Sequence, residues 1–476
     1  MVPTHIELDA PDGYNHTVTP KVLPDVTSPR TTPPLPGCSV AFLFLLAAPK
    51  MAMNMAWAAQ WAAFGPLLET MVPSWAVQLI QIVGPMTGLL VAPTVGVLSD
   101  ACTSGYGRRR PFLLFGAITS ALCWLLMMFA REIGVALGDA GTHQPMTALV
   151  TIVCYVWMDM SVNITQTPVN LIVADFAGPR QVLAASIGQG YAIAGSFCVS
   201  GYILAFGPAH ESIHAFLGML IGVMLLTVLP VCLFAKETPL SLPDAPIARC
   251  TRVLHAFGAV YTGLKTLPRD LVAFCVCFLL VQYGYTAYNG AKGQFFGLVV
   301  LDGDASGANA CGSSCSLKQD AYNRGVALAG GVTDTLFNVV GLLYMVLLPY
   351  LVAAAGAKWV LTLSMLPQAL LIVMAFSKMV TLNVVLVVLC AITQNALFAM
   401  QIPVILHVVG HGEDNKLGLY AGAFNSANCA GQLLNFAAAS ALVQTSMGHA
   451  LPVLVGGVVS LAAVVVAAVA LEMPGM

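Results

Sequence analysis

Apolar residues fall in long runs broken by short polar segments. Twelve such runs lie near 39–66, 75–98, 111–130, 146–171, 183–206, 214–234, 271–300, 325–352, 358–377, 380–408, 416–443 and 449–471. Each is long enough for the roughly 20 helical residues that cross a bilayer core of about 30 Å. Prolines and glycines inside the runs, such as Gly84-Pro85, Pro93, Pro168 and Pro403, are compatible with membrane helices, where neighbouring helices and side chains satisfy the freed backbone groups. Residues 1–37 break the pattern, being polar and rich in proline, and are expected to form a disordered cytosolic tail. The longest later hydrophilic segment, 235–270, divides the helices into six and six. The expectation is an all-α membrane protein with twelve transmembrane helices in two six-helix bundles, 38–234 and 271–476, joined by a cytosolic loop at 235–270. That is the plan of a two-bundle transporter with its solute site near the midplane. A channel or receptor does not require the symmetric split.

Composition agrees. The chain of 476 residues is 58% hydrophobic and 8% charged, against about 25% charged in a soluble domain. Its lysines and arginines fix the orientation. Arg131, Lys318, Arg324 and Lys378 fall on one side, Lys50 and Lys292 inside helices, and the others on the side of the termini. The positive-inside rule makes the terminal side cytosolic; it is called inner below, and the opposite side outer. No basic run exceeds Arg108-Arg109-Arg110, so no nucleic-acid partner is expected. Most cysteines sit in apolar runs as small hydrophobes. Cys311 and Cys315, in an outer loop, are either a small disulfide or two free thiols. There is no nucleophile–base set, no phosphate-cradling loop and no paired Cys/His motif, so neither an enzyme, a metal site nor a cofactor is expected. Oligomeric state is left open.

One apolar run carries polar cargo. Tyr155 to Asp175 includes Asp159, Asn163, Gln166 and Asn170. A carboxylate deep in a membrane helix is costly, so it faces a cavity or a partner and is a functional candidate by default; a structural contact between helices is the alternative. Burial raises a carboxylate's proton affinity and a nearby cation lowers it, which suits Asp159 as a proton carrier. Lys50 lies at similar depth in the first helix, and both helices should border the cavity, so Lys50 and Asp159 are expected to pair, or to share a water, in at least one state. Lys292 and Asp334 would form the matching pair in the second half.

From Gly96 to Phe112 the chain reads G-V-L-S-D-A-C-T-S-G-Y-G-R-R-R-P-F. Asp100, Gly107, Arg108, Arg109 and Arg110 suit an inner-side latch, with arginines that pair with a carboxylate or cap a helix end. The spacing resembles the inter-helix signature of the major facilitator superfamily. Within it, Ser99 to Phe112 resembles the corresponding loop of plant-type sucrose transporters. Further resemblance lies in Trp57-Ala58-Ala59-Gln60 with Pro66, in Gly84-Pro85 with Pro93, in Asp159 to Asp175, in Asn323-Arg324-Gly325-Val326, and in Gly418, Tyr420 and Asn425. The likeness is strong over 50–176 and weak after 270. It implies the major facilitator fold, proton-coupled sugar symport, and Asp159 as proton site. Departures accompany it. Ala101 and Asn170 stand where the family usually has arginine. The run from Gln294 to Val299 matches a family segment Asp-Trp-x-Gly-Arg-Glu, so Gln294, Leu298 and Val299 replace three charges.

Sugar recognition needs neutral donors and acceptors beside an apolar or aromatic platform. Asn54, Trp57 and Gln60 form one row, and Asn163, Gln166 and Asn170 another; Gln294 joins them through the match just given. Second-half candidates are Gln282, Tyr285, Asn289, Gln394, Asn395, Gln401, Asn425 and Asn428. Asn170, eleven residues from Asp159, is expected on the same helix face and in the same cavity. The preferred reading is a secondary active transporter for sucrose or a related sugar, coupled to protons, in a plasma membrane rather than an acidic organelle. A facilitative carrier of another neutral solute and a non-transporting sensor are the alternatives.

Overall fold

The structure is a computed structural model. It describes residues 38–100, 102–140, 144–237, 254, 258, 261–409 and 417–473. The expected tail at 1–37, most of the loop at 235–270 and Ala101 lie outside the described residues, as does the side chain of Asp100.

Eleven described helices are long and apolar enough to cross a membrane. In chain order these are α1 Val40–Glu69, α2 Ser74–Ser99, α3 Arg110–Met128, α4 Pro145–Ala177, α5 Leu183–Phe206, α6 Ala209–Phe234, α7 Arg269–Asn289, α8 Leu317–Ala355, α9 Ala357–Met374 and α10 Val380–Val409. Between α10 and the last of the eleven, α12 Ala450–Ala470, runs a further helix, α11 Leu417–Leu442. Its length also suffices for a crossing, but Asn425, Asn428, Gln432 and Asn435 make it the least lipid-like. Lipid-facing positions are apolar, with Leu226 76% and Val469 78% exposed. The chain is an integral multi-pass membrane protein.

Boundaries differ from expectation most clearly at α7, which ends at Asn289 short of 300, and at α8. α8 begins at Leu317, two turns earlier than its apolar run. Ser316 accepts from the Gln319 amide and the Gln319 side chain returns a bond to the Ser316 backbone, a capping box that starts the helix in polar sequence.

Apolar packing separates the halves. One buried cluster draws its members from Leu43 to Ala235; two others come from residues 271–473 and 288–453. Between halves, α2 packs on α11 and α5 on α8.

Three helices loosen to i→i+5 hydrogen bonding at their outer parts: α1 over Gln60–Phe64, the continuation of α7 over Phe295–Val300, and α8 over Leu328–Thr333. Such π-turns hold one extra residue and recur at functional sites. Those of α1 and α8 lie against each other.

Candidate functional site: a central cavity closed at its outer end

A cavity of about 340 Å³ lies between the halves. Its first-half wall comes from α1 and α5, through Asn54, Trp57, Trp61 and Ser196. The second half contributes Gln282, Tyr285 and Asn289 from α7, then Lys292, and Asp334 and Asn338 from α8. Gln394 of α10 and Asn428 of α11 complete it.

Every inter-half hydrogen bond among the described residues lies outward of this cavity. Tyr322 Oη donates to the Pro66 carbonyl at 2.8 Å and Gln81 Nε2 to the Gly290 carbonyl at 2.9 Å. Asn309 Nδ2 donates to Gln144 Oε1 at 3.2 Å, and His210 Nε2 lies 2.9 Å from Asn323 Oδ1. His449 Nε2 stands 3.5 Å from Glu69 Oε1. The outer gate is therefore shut in this conformation.

Asp159 is fully buried and is not on the cavity wall. It sits in a crevice of α1, α2 and α4. Gln60 Nε2 donates to Asp159 Oδ2 at 3.3 Å and to Tyr155 Oη at 2.6 Å. Asp159 Oδ1 accepts no hydrogen bond from the protein. Gly84 of α2 faces the carboxylate; a methyl group there would stand 3.5 Å from Oδ1.

Lys50 does not pair with Asp159 in this conformation. No ion pair joins it to Asp159 among the described residues. Its side chain lies against Gly188 of α5. Asn54, one turn on, also faces α5, donating to the Ala192 carbonyl and to Ser196 Oγ, both at 2.6 Å. Lys50 and Asn54 thus occupy the α5-facing stripe of α1, while Gln60 faces α4. The second expected pair is present: Lys292 Nζ contacts Asp334 Oδ2.

The expected solute residues scatter. Asn54 and Trp57 reach the cavity. Trp57 Nε1 is bonded to Gln166 Oε1 at 2.7 Å. Asn163 is buried, donating to Thr87 Oγ1 and the Asp159 carbonyl. Gln294 is fully buried near Gly65, outward of the cavity. Asn170 is exposed, so the eleven-residue spacing does not give it the environment of Asp159. About 16 Å of helix rise separates the two.

The sequence pattern described as MFS/sugar transport protein matches residues 47–311. The chain belongs to that family. A sucrose transport protein of Arabidopsis thaliana is 35% identical over 153 residues, 30% of this chain and 26% of its own length. One from Oryza sativa subsp. indica is 29% identical over 262 residues, 49% and 50% of the two chains. Proton-associated sugar transporter A of Rattus norvegicus is 29% identical over 213 residues, 42% of this chain and 26% of that one. The chain thus spans half or less of these relatives' length. Two solved structures agree in fold. The nucleoside transporter NupG has TM-score 0.57 at 12% identity, covering 90% of this chain and 99% of that one. A POT family transporter in complex with 5-aminolevulinic acid has TM-score 0.64 at 11% identity, covering 89% and 95%.

The arginine loop of this MFS/sugar transport protein is tied to its own half. Arg108 and Arg109 reach Asp175 Oδ2 at the inner end of α4, at 3.1 and 3.3 Å. Arg109 Nη1 also donates to Ser99 Oγ at 2.7 Å. Glu237, beyond α6, accepts the backbone amides of Arg109 and Arg110, each at 3.0 Å. Gly107 has φ +115°, and a Cβ there would also strike Glu237, so only glycine serves. Asp175 and Glu237 were not assigned from sequence, although each is an acid at an inner helix end near the basic loop. Glu237→Ala is expected to lower stability by about 2–3 kcal/mol, because it strips charge-assisted bonds from two buried amides. Thermal unfolding in detergent measures this, and Glu237→Gln should lose less.

Proposed function

We propose that this protein is a proton-coupled symporter of sucrose or a related sugar, working by alternating access in a plasma membrane. The observation that carries the reading is the buried Asp159 carboxylate, held by Gln60 with one oxygen unbonded by the protein. The names of the relatives and a cavity rich in amides and aromatic rings support the sugar.

In this reading, residues 38–234 and 271–476 rock as two bundles about the cavity, with 235–270 as the cytosolic link. Asp159 carries the proton. Gln60 belongs to α1, which also lines the cavity, so movement of α1 links the carboxylate's surroundings to solute occupancy. Gly107 to Arg110, with Asp175 and Glu237, stiffen the inner end of the first bundle while the outer gate closes. Lys50 serves the α1–α5 contact.

Purified protein in liposomes with an imposed proton gradient tests this. Accumulation of sucrose or a related sugar above its outside concentration is expected. Equilibration without accumulation would replace the reading with a facilitative carrier, and binding without flux with a sensor. The cargo itself is read by heat stability. A bound sugar at one hundred times its Kd adds about 2.7 kcal/mol to the native state.

A further inference from the structure

We propose that the second-half wall, centred on the Lys292–Asp334 pair, is the sugar-ring subsite and sets specificity, with Asp334 accepting hydroxyl hydrogens from a vicinal diol. This deepens the sugar-transport reading and rests on it.

The two walls of the cavity differ in what they have left to offer. On the first-half wall, the Asn54 amide spends its donors on Ala192 and Ser196, and the Trp57 N–H is spent on Gln166. On the second-half wall, an ion pair stands open on one side. The Lys292 side chain is 5% exposed and that of Asp334 20%. Both residues line the cavity, and the carboxylate side chain is the more exposed of the two. A charge is expensive to bury unless paired; Lys292 meets that cost and positions the acid.

The neighbours complete a sugar-binding face. Asn289 is one turn before Lys292 and Asn338 one turn after Asp334, and both reach the cavity. Asn338 Nδ2 is bonded to the Asp334 carbonyl at 2.9 Å, which turns its amide oxygen outward as an acceptor. Tyr285 and Phe337 stack beside the pair, centroids 5.8 Å apart and planes at 29°. A carboxylate accepts two adjacent hydroxyls, an amide can donate and accept, and an aromatic face covers the C–H side of a pyranose. The pair is neutral as a unit, so a net-charged solute gains no counter-charge here and would lose its hydration.

Two kinds of double variant test the proposal without leaving one charge unpaired in the wall. Lys292→Gln with Asp334→Asn keeps polarity and volume; Lys292→Met with Asp334→Leu makes the pair apolar, a change that buried ion pairs often tolerate. The probes are sucrose and analogues each lacking one hydroxyl, read as Kd by heat stability and as KM by uptake. For the wild type, loss of either hydroxyl of one vicinal pair should weaken binding at least 10-fold. In both double variants that ratio should fall to near one, with weaker binding of the parent sugar. A purely structural pair would lower stability and leave the ratio unchanged, which overturns the proposal. Failure of both double variants to fold overturns it too. If no sugar binds the wild type, the sugar-transport reading fails first, and this one with it. If the wild type binds and the ratio survives mutation, only this one fails.

Discussion

Asp159→Asn is expected to fold, bind sugar and equilibrate it across the membrane, yet accumulate none against a gradient. Asparagine matches the carboxylate in shape and keeps an acceptor for Gln60. It removes the group able to take and release a proton. Each pH unit of gradient is worth about 1.4 kcal/mol, or about tenfold accumulation for one proton. The variant's ratio of inside to outside sugar should stay at one whatever the gradient, and its uptake should lose its pH dependence. Its thermal stability should hold or rise, because a neutral amide costs less than a buried carboxylate. Gradient-driven accumulation by this variant would move the coupling elsewhere, with Asp334 the next carboxylate to replace.

Gly325→Val is expected to abolish transport by preventing outer closure. Gly325 of α8 meets Gly297, in the π-turn beyond α7, backbone to backbone. A side chain at 325 would run into the Gly297 nitrogen and Cα. Neither atom can rotate away, unlike the end of a flexible side chain, so α8 must move off α7. Overpacking of this kind costs about 1–3 kcal/mol or more. Both residues belong to the second bundle, so the cost displaces the stretch of α8 that also carries Tyr322, whose hydroxyl bonds Pro66 across the halves, and the outer closure is lost with it. Opposite, a Cβ at Gly297 would strike the Tyr322 ring. A cysteine introduced at Asn289 should be shielded from impermeant outside thiol reagents in the wild type and labelled in the variant. Normal uptake by even the smaller variant Gly325→Ala would refute the argument.

The fold was legible because lipid imposes a simple length rule on apolar runs, and most of the chain obeys it. The first turns of α8 were not, because Leu317 to Arg324 fold through a polar cap. Asp159, Lys292 and Asp334 stood out from sequence for one reason: charges inside apolar runs need partners. The Lys292–Asp334 contact was anticipated and is present. The Lys50–Asp159 contact was anticipated from depth alone, and depth does not say which way a side chain points around its helix. Lys50 and Asn54 share the stripe of α1 that faces α5, whereas Asp159 is met by Gln60. The amide rows divide in the same way: Asn54 and Trp57 line the cavity. Asn163 and Gln166 bind their own half, and the Lys292–Asp334 wall lies on α7 and α8, where resemblance to relatives is thin.

The π-turn over Phe295–Val300 has a consequence for kinship. A relative whose helix is plain α-helix there covers the same rise with one residue fewer, and each residue turns the chain by about 100°. Matching the two by counting assigns every later side chain to a neighbour's place. The comparison that sets Leu298 and Val299 against lost charges runs straight through this insertion. Equivalence in this stretch follows spatial position rather than residue count, and Lys292 stands three residues before the turn begins.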